Sequence, residues 1–322
     1  MRRAAEVLRG AEEVALACHI NPDPDALGSM LGLSAFLRAR GVSTVCSFPN
    51  EAFEVPGWLK TFEIAGALVH PSAFPEAPSV MVTCDCASLD RLGRLAAASA
   101  RAGELIWIDH HVSNEGLGTV PVIDPHASST AEMVFRLTRE IGGELPVEAA
   151  AVLYAGLVTD TGRFQYEAVR PETLRLAADL REYPFDHARL VQILYEDNGI
   201  GYLKLVGTAL ERLRREEDAD LVWTYLTQAD LAAASVDPSE TDDLIDVIRT
   251  AREADVAALV KQQRDGLFKV SMRSRGSHDL ARVAASFGGG GHRLASGYTS
   301  TVGLAETVER LTEALRSSNG GA

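Results

Sequence analysis

The stretch VALACHINPDPDALGSMLGLSAFLRA, residues 14–39, decides the fold. It opens with an apolar run of strand length (14–20), crosses a polar loop holding two prolines, and continues as a helical pattern (26–39) that Gly41 closes. Pro22 and Pro24 stiffen the loop and hold the residue before each in an extended conformation, so Asp23 and Asp25 can project separately. The same alternation recurs downstream. Apolar runs at 44–48, 80–84, 105–108 and 120–123 are strand candidates, and 131–141 is a helix closed by Gly142-Gly143. Strands alternating with helices predict an α/β fold with a mostly parallel, doubly wound sheet, in which ligands gather at the carboxyl ends of the strands.

Farther out the pattern turns helical from 185 to about 217 and ends in a run of charge, which we take as a helical linker over 189–217. Beyond it lie a strand (221–226), a helix (240–252) and a hairpin of 256–262 with 267–273 across Arg264-Asp265-Gly266. A helix (279–287), a glycine run, a strand (296–301) and a last helix complete a smaller α/β domain. The expected division is therefore 1–188, 189–217 and 218–322, with the final SSNGGA frayed.

Composition narrows the function. At 322 residues, 46% hydrophobic and 24% charged, the chain suits two soluble domains, and its net charge of −14 lacks the basic surface that long nucleic acids need. No segment approaches the ~20 apolar residues of a membrane helix or resembles a signal peptide, so a cytoplasmic enzyme is expected. The four cysteines suit buried strand positions; Cys84-Asp85-Cys86 is a C-x-C with no second pair to complete a zinc site.

Acids and histidines collect where the strands end. His19-x3-Asp23-x-Asp25 leaves the first strand, Asp85 the third, and Asp109-His110-His111 the fourth, while Asp160 closes another apolar stretch. One such Asp is ordinarily a turn residue, and Asp25 could simply cap the following helix with Asp23 an ordinary loop residue. Several together repel one another unless cations compensate them. Carboxylates mixed with imidazole suit Mn²⁺, with Mg²⁺, Fe²⁺ and Co²⁺ as alternatives. Ser129-x-x-Glu132 reads as a capping box, His70, His126 and His187 as surface or loop residues, and Arg91 as structural rather than substrate-binding.

These four ordered motifs resemble those of the DHH phosphoesterases, over the first 165 residues. The resemblance implies that His19, Asp23 and Asp85 hold one metal ion and Asp25, Asp85, His110 and Asp160 a second, with Asp85 bridging. It gives His111 a catalytic role at the substrate, Asp109 the support of the histidines, and the chemistry of in-line hydrolysis by a water activated between two ions ~3.5 to 4 Å apart.

Phe287-Gly288-Gly289-Gly290-Gly291-His292-Arg293 is too glycine-rich for one helix cap, and such backbone can approach an anion closely. With Arg273 on the preceding strand, it resembles the GGGH motif of the DHH-associated C-terminal domain. The resemblance makes Arg273, Gly289, Gly290 and His292 substrate contacts across an interdomain cleft. Arg293 stands where many relatives carry Lys. The resemblance implies as substrates short oligoribonucleotides, 3'-phosphoadenosine 5'-phosphate and, as in some members of the family, cyclic di-AMP or its linear product pApA. A family II pyrophosphatase and a non-catalytic nucleotide sensor are the alternatives. Homodimerisation is implied by the resemblance alone.

Overall fold

The first strand, β1 (Glu13–Cys18), lies inside a five-stranded parallel sheet of order β2-β1-β3-β4-β5, formed with β2 (Ser43–Ser47), β3 (Val80–Cys84), β4 (Glu104–Asp109) and β5 (Val120–Ile123). The molecule is represented by a computed structural model that describes residues 1–318 except Glu115, and for Ser239 the backbone alone. The frayed end expected at 317–322 falls mostly outside the described residues. Around the sheet run α1 (Arg2–Gly10), α2 (Pro24–Ala39), α3 (Ala96–Ser99), α4 (Thr130–Ile141), α5 (Val147–Asp160), α6 (Pro171–Arg181) and α7 (His187–Tyr195).

Side chains that alternate along each strand supply two cores. Leu16, Cys18, Val82, Cys84, Ile106 and Ile108 face the larger core, which includes residues of α1, α2, α4 and α5. Ala15, Ala17, Met81, Leu105 and Trp107 face a smaller one closed by Leu92, Leu95 and Ala98. Burial on both faces explains why the strands read as continuous apolar runs.

Two helices position the site. In α2 and α5 glycine lets backbones approach: a Cβ on Gly28 would stand 2.2 Å from the Val152 carbonyl oxygen, and one on Gly156 would stand 2.7 Å from Asp25 Oδ1. Strand order reverses at β1, whose neighbours are β2 and β3, and the crevice at such a switch point is where open parallel sheets bind ligands. Registers Cys18↔Cys84 and Cys84↔Ile108 bring the ends of β1, β3 and β4 level, so His19, Asp85 and Asp109 leave one edge on neighbouring strands.

The chain forms two compact units, 1–197 and 198–322. The expected linker is thus divided, α7 going with the first unit and α8 (Ile200–Glu211) with the second. The second unit continues with β6 (Arg214–Glu216), β7 (Leu221–Leu226), α9 (Gln228–Ala234), α10 (Leu244–Ile248), β8 (Val256–Gln262), β9 (Phe268–Ser274), α11 (Leu280–Ser286), β10 (Gly290–His292), β11 (Ala295–Ser300) and α12 (Leu304–Ser318). Its sheet has the order β10-β11-β9-β8-β7-β6, parallel only between β7 and β8.

Two local expectations are corrected. The charged run after α8 is not simply linker: Arg214–Glu216 is an edge strand, where charge suits a solvated rim. The helix expected over 240–252 shrinks to Leu244–Ile248, because Thr241 and Asp242 turn to bind the buried Lys261 ammonium. The apolar stretch that Asp160 closes is a helix: the alanine-rich 147–160 segment is buried on nearly every side, so its sequence shows no alternation to reveal its period.

Candidate metal centre

The loop after β1 divides its two aspartates differently from the capping alternative. Asp23 is the N-cap of α2, accepting from the Ala26 amide at 3.0 Å, and its half-exposed carboxylate still reaches the site. Asp25 lies in the first helical turn, buried, and its two oxygens accept the amides of Thr130 (2.7 Å) and Ala131 (2.9 Å) at the start of α4. The positive end of α4 therefore steadies a carboxylate from α2.

Asp85 sits at the centre. It takes a left-handed backbone conformation (φ 57°), which Asp tolerates better than most residues at a cost of order 1 kcal/mol, and its amide is fixed to the Ile108 carbonyl at 2.9 Å. One oxygen faces His19 Nε2 at 3.4 Å; the other accepts from Thr130 Oγ1 at 2.9 Å and lies 3.6 Å from His110 Nε2. His110 Nε2 is also 3.3 Å from Asp160. Ligand atoms of His19, Asp23 and Asp85 fall within 4.8 Å of one another, as do those of Asp25, His110 and Asp160. All six residues expected as ligands are thus gathered at one strand edge, in two groups on either side of Asp85.

Burial works against charge on His19, but bonds to Asp23 and Asp85 outweigh it and push its pKa up to about 10. His110 is likewise opposed by burial and raised by Asp160, Asp85 and Asp109. Burial followed by the fields of Asp85, Asp160 and Asp23 raises Asp25 far above the carboxylate range, and burial lifts Asp160 to about 6. Burial would raise Asp85 too, yet the His19 bond and the charges of His111, His19 and His110 hold it well below its ordinary value. Crowded carboxylates that either keep protons or borrow them from imidazoles form a donor set that divalent cations fit.

The rest of the triplet supports this cluster. Asp109, wholly buried, takes His111 Nδ1 at 2.7 Å on one oxygen and Asn114 Nδ2 at 2.7 Å on the other. Asn114 also donates to the Cys86 carbonyl, which Trp107 Nε1 reaches as well. Asn114 and Thr130 are site residues that sequence reasoning missed. Asn114 sits in an unpatterned loop, and Thr130 reads as the first residue of a helix. Glu132 completes only half of the anticipated capping box: Ser129 Oγ accepts the Glu132 amide, but the carboxylate turns to Ser128 and Arg170. His70 and His126 are exposed and His187 bonds Tyr154, all outside the cluster.

In the second unit, registers His292↔Ala295 and Ala295↔Arg273 place His292 and Arg273 in one row, two strands apart on one sheet face. Arg273 Nε is buried without a hydrogen bond, its nearest acid being Asp246 at 3.8 Å. The glycines separate by role. A Cβ on Gly289 would strike the Gly297 carbonyl oxygen at 2.2 Å, and its amide is taken by Ala284. A Cβ on Gly290 would meet nothing within 4 Å, so packing within the fold does not demand glycine there.

Comparison with known proteins agrees with this architecture. Residues 13–157 match the DHH family, N-terminal domain, and residues 206–319 match the DHHA1 domain. The chain belongs to the DHH family. It is 33% identical, across 98% of its length and 93% of the relative's, to the bifunctional oligoribonuclease and PAP phosphatase NrnA of Thermus thermophilus. It is 29% identical to the Bacillus subtilis protein of the same name, over 89% of this chain and 88% of that one. An exopolyphosphatase-related protein from Bacteroides fragilis superposes with a TM-score of 0.90 at 25% identity, covering 99% of this chain and 96% of its own.

Proposed function

We propose that this protein is a metal-dependent phosphoesterase that hydrolyses short nucleotides, among them pApA, 3'-phosphoadenosine 5'-phosphate and cyclic di-AMP, to mononucleotides. The observation that carries the reading is the double donor set around Asp85 at the sheet's switch point. In this reading His19, Asp23 and Asp85 hold one ion and Asp25, Asp85, His110 and Asp160 the other, with Mn²⁺ the best match to mixed carboxylate and imidazole ligands. When bound, two such ions supply charge neutralisation and activation of water.

The chain's own residues do the rest. Thr130 and the start of α4 hold Asp85 and Asp25 in place before any ion arrives. Asp109 fixes His111 through Nδ1, so Nε2 is the atom that meets substrate. Burial opposes a proton on His111, but the bond to Asp109 and the fields of Asp85 and Asp109 restore it, which suits a donor to the leaving oxygen. In the second unit His292 and Arg273, with Gly290 beside them, grip the nucleotide. A homodimer belongs to the same reading.

The test is a substrate panel. Metal-reconstituted protein is incubated with pApA, 3'-phosphoadenosine 5'-phosphate, cyclic di-AMP and pyrophosphate, and release of AMP and phosphate is followed. AMP from the nucleotides is expected. Turnover of pyrophosphate alone would make the protein a pyrophosphatase, and no turnover of any would make it a sensor.

A further inference from the structure

Between Asp85 and α3 the chain forms a 3-10 segment, Leu89–Leu95, that is tied into the metal centre rather than lying loose over it. The Arg91 amide donates to the Ser88 carbonyl at 3.2 Å, and the Arg91 carbonyl accepts the Ile20 amide at 2.9 Å, one residue past His19. The His19 loop is itself clamped, Asn21 and Asn50 exchanging bonds of 2.8 and 2.7 Å. Arg91 thus has its backbone fixed to the loop that carries two of the candidate ligands.

Its side chain is exposed and, among the described residues, makes no hydrogen bond or ion pair, although acids abound in this unit.

Charge balance says what such a cation is for. The carboxylates of Asp23, Asp25, Asp85 and Asp160 neutralise two divalent cations, and Asp109 is answered by His111. A centre loaded in this way would carry no net positive charge, so a phosphate lying away from the ions would meet no compensating charge there. A dinucleotide or nucleoside bisphosphate carries a second phosphate that must be met elsewhere.

We propose that Arg91 is a binding residue for the non-scissile phosphate of the substrate, a subsite for nucleotides that carry more than one phosphate. The guanidinium fork suits two oxygens of a phosphate at once. This rests on the nucleotide reading above, and it reverses the structural role the sequence suggested for Arg91.

The test compares kcat and KM of the Mn²⁺-loaded enzyme on pApA and on bis(p-nitrophenyl) phosphate, which has one phosphate. Loss of a charged hydrogen bond predicts that Arg91→Ala lowers kcat/KM for pApA by roughly 10- to 100-fold, mainly through KM, and changes the single-phosphate ester by no more than about twofold. Arg91→Lys recovers part of the loss. Arg94→Ala removes an equal charge from the same segment and leaves both substrates within about twofold. A thermal midpoint equal to wild type establishes that each variant folds. Equal losses on both substrates, or no loss on pApA, overturns the subsite while leaving the nucleotide reading intact. A wild-type enzyme that cleaves the single-phosphate ester but no nucleotide overturns both.

Discussion

His111 Nδ1 lies 2.7 Å from Asp109 Oδ1, and Asp109 is wholly buried beneath it. We propose that the carboxylate serves the histidine rather than an ion, its other oxygen accepting from Asn114. Asp109→Asn should lower kcat on pApA roughly 10- to 100-fold while metal content by elemental analysis stays at wild type. Loss of metal in step with activity would instead make Asp109 a ligand.

Thr130 donates its hydroxyl to Asp85 at 2.9 Å and so helps to hold that carboxylate in place. Thr130→Val keeps the shape and removes that bond. Metal affinity, read by titration of the chelated protein, should fall on the order of 10-fold. An unchanged affinity would show that Asp85 is held without Thr130.

Gly156 couples helix packing to the centre. Its added Cβ would meet Asp25 Oδ1 at 2.7 Å and Ala131 Cβ at 3.0 Å, so Gly156→Ala forces apart the elements that hold Asp25. The expected cost in chemical denaturation is about 1–3 kcal/mol, with weakened metal binding. Wild-type stability and metal affinity together would contradict the packing described.

In chelator, the folded protein keeps the His19 proton up to about pH 10, whereas the unfolded chain loses it near 6.5. Between those values the folded state binds the extra proton, so this contribution is full below 6.5 and declines as pH rises toward 10. The thermal midpoint of metal-free protein should fall from pH 7 to 9.5 by more than that of His19→Gln, and a divalent cation should remove the difference by displacing the proton. A midpoint with the same pH dependence in both proteins would contradict the assignment.

Much of the first unit was legible because its strands and loops announce themselves. Val80–Cys84 and Val120–Ile123 have the expected bounds, and six ligand candidates could be named because four ordered motifs resemble those of the DHH phosphoesterases. What stayed hidden depends on three dimensions. Whether Asp23 or Asp25 caps α2 turns on α4, more than a hundred residues away in sequence, whose amides claim Asp25. Asn114 gains its place only once Asp109 is buried beside it. In the glycine run, sequence cannot separate Gly289, needed for close strand packing, from Gly290, which that packing does not constrain.

The two-ion centre is tested most directly by titrating Mn²⁺ into the chelated protein while following AMP release from pApA. It predicts no release without metal and activity that saturates at two ions per chain. Full activity in chelator, or no AMP at any metal level, would contradict it.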